Sequence, residues 1–268
     1  MKISEYDAFG PWIYEIDEEH EIPRFYRSYV DENDGAVFRL KVPKKIERRD
    51  ANPDMNLYDY LFNVYEDRLE VMQIVGEDMK LHRIDFDKVS AVSAFRELLL
   101  GRLTIFFDND SFTFEYNAVS QDTVMKVVDC IRRGYKGADS GQGSAAYDPS
   151  QLQFDDLFFV NEWVRIEPLE RPFVHCAYQR THPLGDVDKS ELYGSLHMKK
   201  ENEWIILRKL GQYSYDYLYL PRNASTDINT AAGSEFPGVN KLLISAGNHS
   251  TEVLFDADNK EIINHYGD

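Results

Sequence analysis

Residues 102–129 lie without a gap on residues 241–268 at a shift of 139, and both stretches carry the same period. In the first, Leu103, Ile105 and Phe107 alternate, Asp108-Asn109-Asp110 has turn chemistry, and Phe112, Phe114 and Tyr116 alternate again. That is the spacing of a half-buried hairpin. In the second, Leu242 and Ile244 are followed by Gly247-Asn248 and then Val253 and Phe255. A helix is expected after each hairpin. Ser120 offers an N-cap with Asp122 in the first turn. Val124, Val127, Val128 and Ile131 form one apolar stripe. Arg132 and Arg133 suit the helix end, and Gly134 a stop. In the second copy Asp258 and Glu261 have capping-box spacing ahead of Ile262, Ile263 and Tyr266. A strand–turn–strand–helix block present twice constrains the fold strongly, because each half must end by laying a helix on its own hairpin.

Upstream the correspondence is fainter. At a shift of 135, Leu57-Tyr58 falls on Leu192-Tyr193, Leu61 on Leu196, Glu66 on Glu201 and Leu69 on Trp204. Strand-like runs cover 36–42, 57–64, 68–75, 79–86 and 89–95. Trp12 and Trp163 are read as opening similar apolar strands, and Leu157-Phe158-Phe159-Val160 also reads as a strand. Residues 137–146 hold three glycines, two serines and no large apolar side chain, the composition of a linker. The expected organisation is a first domain over 1–136 with an N-terminal strand extension, a linker over 137–147, and a more divergent second domain over 148–268.

Successive short strands, then Leu98-Leu99-Leu100-Gly101-Arg102-Leu103-Thr104-Ile105, then Phe114-Glu115-Tyr116-Asn117-Ala118-Val119-Ser120 leading into an amphipathic helix, resemble bacterial pleckstrin-homology-like domain proteins. The resemblance covers roughly residues 57–134, and residues 192–268 through the internal repeat. It implies a mainly β fold with minor α: two bent antiparallel β-sandwich or barrel domains, each closed by a C-terminal α-helix. It also implies a scaffold that binds lipids, peptides or proteins. The second copy departs from the pattern, with Pro237-Gly238-Val239-Asn240-Lys241 in place of the LLxGR run and a shortened helix.

The 268 residues hold 30 basic and 47 acidic side chains, a net charge of −17. Such a charge opposes general binding to nucleic acid, which depends on neutralising phosphates with cations. Acids at Glu5, Asp7 and 15–21 interrupt the N-terminus, which lacks a signal-peptide pattern, and no run approaches a membrane span. A cytoplasmic protein without an integral membrane segment is expected. Cys130 and Cys176 read as small buried hydrophobes. No glycine-rich phosphate loop, zinc-ligand spacing or nucleophile elbow occurs, so neither a cofactor nor a metal is expected.

Two features remain as candidate binding sites. Arg39, Lys41, Lys44, Lys45, Arg48 and Arg49 set six cations against one anion within residues 39–49. They suit a phosphorylated headgroup or an acidic peptide. Alternatively they offset the acidic stretches 15–21 and 31–34. Tyr213, Tyr215, Tyr217 and Tyr219 share one face of a strand. Exposed, they would form a stacking platform; buried, a seam or core. The functional expectation is a non-enzymatic scaffold with a protein partner, docking by strand addition at a sheet edge. One alternative is weak peripheral contact with anionic phospholipid through 39–49. The other is a hydrolase built on paired carboxylates.

Overall fold

The protein is described from a computed structural model, which covers residues 4–31, 33–136, 147–148, 150, 152–184, 191–223, 226–234 and 236–266. The expected linker, apart from Tyr147, lies outside the described residues. The fold is mainly β with short helices, as expected.

In chain order the first elements are α1 (Glu5–Ala8), β1 (Tyr14–Glu15), β2 (Phe38–Pro43), β3 (Tyr58–Val64), β4 (Arg68–Val75) and β5 (Asp78–Asp85). β6 (Val89–Glu97), β7 (Leu100–Phe107), β8 (Asp110–Asn117) and α2 (Gln121–Lys136) follow. After α3 (Leu157–Glu170) come β9 (His175–Pro183), β10 (Glu191–Lys199), β11 (Glu203–Gly211) and β12 (Ser214–Pro221). β13 (Thr226–Ala231), β14 (Val239–Ala246), β15 (His249–Asp256) and α4 (Lys260–Tyr266) complete the order. Three sheets result, ordered β1-β2-β3-β4-β5, β8-β7-β6-β12-β11-β10-β9 and β13-β14-β15.

The sequence repeat recurs in part as ladder register. Leu61 opposite Met72 becomes Leu196 opposite Leu207. Phe62 and Leu69 fall on His197 and Trp204 at the same shift of 135, but the partners there are Ala177 and Leu220, two and one residues beyond the counterparts of Leu40 and Ile84. The 139-residue shift carries the bounds of β7 onto β14, those of β8 onto β15, and the start of α2 onto that of α4. Even the backbone strain is copied: Asp108 (φ 47°) and Gly247 (φ 58°) occupy the same left-handed turn position, the conformation a tight hairpin demands. The helices differ in rotation. α2 buries Val124, Val127 and Val128, whereas α4 buries Ile262 and His265, a shift of 138. One residue of offset turns a helix by about 100°.

By contacts the chain divides into two units. The first takes Met1–Val89, Leu99–Gly101 and Phe114–Gly137; the second takes Ser90–Leu98, Arg102–Thr113 and Ala138–Asp268. This grouping does not follow the midpoint. β6 pairs antiparallel with β12, from Glu97 opposite Ser214 to Val92 opposite Tyr219, and both stretches belong to the second unit. The core of the first unit gathers Phe9, Tyr26, Leu57, Tyr58, Leu61 and Met72, and Phe62 meets Phe114 edge-on at 4.9 Å. The core of the second gathers Ala91, Ile206, Leu218, Ile244, Phe255 and Ile262. Each large side chain buried this way contributes about 1.5–3 kcal/mol.

Several local expectations are corrected. Leu157–Val160 and Trp163 lie in α3 and not in strands. Asp156 Oδ1 accepts the Phe158 N–H at 2.9 Å and caps that helix, and Phe159 and Ile166, seven apart, turn inward. Trp12 precedes β1 and is 43% exposed. Ser120 Oγ accepts the Ile13 N–H at 2.9 Å, and Asn117 accepts from Val119 instead. In the second copy Asn259, not Asp258, accepts from the first turn of α4, at Ile262. Gly134 does not stop α2, which runs to Lys136. A Cβ at Gly134 would sit 2.4 Å from the Phe86 Cβ, so glycine lets the helix approach Phe86.

Gly-to-Ala inside an ordinary exposed helix gains up to about 1 kcal/mol. Here Gly134→Ala is expected to destabilise by about 1–3 kcal/mol through overpacking. A lower urea midpoint than wild type in a denaturation series bears this out; an unchanged or higher midpoint contradicts it.

Candidate functional site

The basic segment leaves β2 at a loop of the first unit, and its six cations take different roles. Arg39 donates to Asn63 Oδ1 at 2.9 Å, to Asp34 Oδ1 and to the Asp31 carbonyl. Its side chain is 11% exposed. Lys41 is buried, with Nζ donating to the Glu21 carbonyl at 3.2 Å and lying 5.3 Å from the Tyr58 ring centroid. Burial lowers its pKa, while Glu5, Asp17 and Glu21 oppose that shift. Both cations thus find their partners within the acidic stretches 15–21 and 31–34.

The remaining four stand further out. Lys45 pairs with Glu115. Arg48 donates to the Phe9 carbonyl and lies 5.2 Å from the Tyr6 ring centroid, which ties the loop to the N-terminal segment. The Arg49 side chain is 82% exposed, 3.9 Å from Asp50. Lys44 is half-buried, and its charge opposes the rise that burial imposes on Asp59. Lys44, Lys45 and Arg48 rim a groove of about 590 Å³ whose walls include Phe9, Pro11, Ile13, Val42, Ile46 and Tyr116. This is a largely apolar trough whose lip carries Lys44, Lys45 and Arg48 together with Glu47 and Glu115.

The tyrosine stripe lies in the second unit and grades from solvent to core. Tyr213 is 59% exposed, Tyr215 is half-buried, and Tyr217 and Tyr219 are buried. α3 covers the buried part. Phe158 meets Tyr215 at 5.0 Å, and the Tyr217 hydroxyl donates to Glu162 and accepts from Arg165 Nη2 at 3.1 Å. The Tyr217 and Tyr219 rings stack at 6.0 Å. Four tyrosines in sequence therefore give one exposed ring, with Tyr215 and Tyr217 meeting α3 and Tyr219 stacking on Tyr217.

The second unit also holds a polar cleft of about 920 Å³. There the Tyr178 hydroxyl donates to Asp155 at 2.7 Å, the Tyr193 hydroxyl donates to Asp256 at 2.8 Å, and His182 Nε2 lies 3.2 Å from Asp256. That His182 contact lacks hydrogen-bonding alignment. Asp155, Tyr178 and Asp256 are thus already engaged, and Gln153, Asp258, Lys260 and Glu261 line the cleft beside them.

Sequence reasoning missed a histidine cluster beneath α4. His175 Nδ1 lies 2.6 Å from His265 Nδ1; His197 Nδ1 lies 2.7 Å from the Tyr266 hydroxyl, and His197 Nε2 lies 2.7 Å from Ser195 Oγ. Ser195 and His197 have nucleophile–base spacing, but they are 1% and 0% exposed. The available signal was the alternation of Ser195 and His197 along β10; nothing local joins them to residue 265. Burial lowers the pKa of all three histidines, that of His197 to about 3, and neighbouring cations add to the shift. Among the described residues no cluster of three or more His, Cys, Asp or Glu side chains is placed to hold a metal ion. No described helix is long and apolar enough to cross a membrane. No family model, no curated protein and no solved structure matches the chain.

The sign of the histidine effect on stability follows from linkage. The folded-state pKa values lie below 6.5, so the unfolded chain binds protons that the folded chain refuses. The stabilisation is present above about pH 6.5 and is lost as pH falls toward the folded values, at up to about 1.4 kcal/mol per pH unit per histidine. Unfolding free energy measured by urea at about pH 7 and about pH 5 is expected to fall, and His197→Asn to shrink that fall by up to one proton's worth. An identical pH slope in the variant contradicts this.

Proposed function

We propose that the protein is a non-enzymatic interaction scaffold of two pleckstrin-homology-like repeats. Its first half captures an acidic, partly apolar peptide segment of a protein partner. The domain reading is supported by the grouping of strands: four in a meander, three in a meander, then a helix, in each repeat. The observation that carries the site is the groove at 42–48. It gathers Lys44, Lys45 and Arg48 around an apolar floor. Arg39 and Lys41 are held inside the fold; at the groove Lys45 pairs with Glu115 and Arg48 with the Phe9 carbonyl, Lys44 lines the wall, and Arg49 stands exposed outside the lining.

A peptide fits this groove better than a membrane does. A chain of net charge −17 is repelled by an anionic lipid surface, and four cations at one loop offset little of that. A short acidic segment brings its own local charge to the rim, while an apolar side chain fills the trough. Rim charges of this kind set the on-rate and specificity more than the affinity.

The test uses a fluorescent peptide of alternating Glu and Phe, read by anisotropy. Saturable binding that weakens with added salt is expected for the wild type. Lys44→Glu combined with Lys45→Glu and Arg49→Glu is expected to weaken it at least tenfold, about 1.4 kcal/mol. Arg48 stays untouched because it also holds the N-terminal segment. Equal affinity in wild type and variant contradicts the reading, as does binding to phosphatidylserine vesicles with none to the peptide.

A further inference from the structure

The ladder between β6 and β12 joins one strand from each repeat, and the repeat has a second set of the same two strands. By order and ladder register β5 is the counterpart of β12, and β13 is the counterpart of β6. β6 and β12 satisfy each other within the chain. β5 and β13 do not meet a further strand: β5 ends the first sheet and β13 ends the third. Each therefore offers one row of ladder groups without a strand partner among the described residues.

We propose that β5 of one chain pairs antiparallel with β13 of a second copy, repeating between molecules the contact that β12 and β6 make within one. An open sheet edge is a template for another strand; here its partner strand is specified by the protein's own internal example.

β5 is eight residues long and laddered to β4 at all eight positions. It exposes Asp78, Lys80, Leu81, His82 and Arg83, and Leu81 is 49% accessible. β13 is laddered to β14 at all six positions and exposes Asp227, Asn229 and Thr230. No proline or lysine protects it. β5 carries both signs, Asp78 and Asp85 beside Lys80 and Arg83 with Arg83 donating to Asp85, and β13 carries Asp227, so the partner is specified by the internal β6–β12 pairing and not by charge. The contact is heterologous, because the surfaces that meet are different. Copies add head to tail, and each added copy leaves one β5 and one β13 open for the next. Inside the chain the β6–β12 contact is favoured by the high effective concentration of a tether. Between chains that advantage is absent, so assembly is expected only at raised protein concentration.

The test blocks each edge separately and reads mass by light scattering after size exclusion. Lys80→Pro removes a ladder donor from β5, and Asn229→Pro does so in β13. Circular dichroism checks that each variant folds. If a proline variant does not fold, Lys80→Cys and Asn229→Cys, modified with a polyethylene-glycol maleimide, block the same edges without touching the backbone; the native Cys130 and Cys176 are buried. The wild type is expected to grow in mass with concentration. Each blocked variant alone is expected to stay monomeric. An equal mixture of the two is expected to form a one-to-one dimer that grows no further, since one supplies β13 and the other β5. A wild type that is monomeric up to millimolar concentration overturns the proposal. So does a β13-blocked variant that dimerises alone, or a mixture that stays monomeric.

Discussion

The antiparallel ladder from Val92–Glu97 to Ser214–Tyr219 is the contact on which the architecture depends. Without it the described strands would form sheets of five, three, four and three strands, each with open edges. With it, β6–β8 and β9–β12 share one seven-stranded sheet. Backbone pairing of this kind is modest per bond, about 0.5–1.5 kcal/mol net, but it also fixes register. A one-residue slip of β12 would turn Leu218 and Leu220 away from the core they now fill. The second unit's core is therefore coupled to residues supplied from before the midpoint, such as Ala91 and Phe106.

Burial then assigns roles to the polar residues. Arg208 grips Asp216 with two nitrogens at 2.8 and 2.5 Å inside the second unit. Arg39 and Lys41 play the corresponding part in the first, each held by acidic loops. Charges placed so deep stabilise only when their partners stay in place. Among the described residues, what the two sequence features leave for outside contacts is narrower than their clusters suggest: the rim at 44–49 and the exposed Tyr213. The net charge of −17 sets the background against which that small cationic rim acts.

Much of the fold was legible because period-2 alternation is a local signal. The runs at 68–75 and at 103–116 became β4, β7 and β8, with Leu69 and Val71, Leu103 and Ile105, and Phe112, Phe114 and Tyr116 turned inward. The repeat was legible because equal loop lengths preserved its shift at 139 across β14 and β15. α3 was not, because Leu157-Phe158-Phe159-Val160 is apolar at consecutive positions and short apolar runs do not distinguish strand from helix. The deciding signal was Asp156 as a cap. The site was less legible. The sequence clustered six cations, yet only contacts distant in the chain, such as Glu21 to Lys41 or Glu115 to Lys45, separate structural from available ones. The His175–His197–His265 cluster and the β6–β12 pairing carry no local signature at all, since each joins segments scores of residues apart.

Amide hydrogen exchange at single-residue resolution tests the central claim most directly. If β6 and β12 form one ladder inside one cooperative unit, amides of 92–97 and 214–219 exchange slowly and open together, at one common free energy. If the amides of 92–97 open with β3 and β4 while 214–219 stay closed, or exchange as fast as a loop, the shared sheet does not exist and the account fails with it.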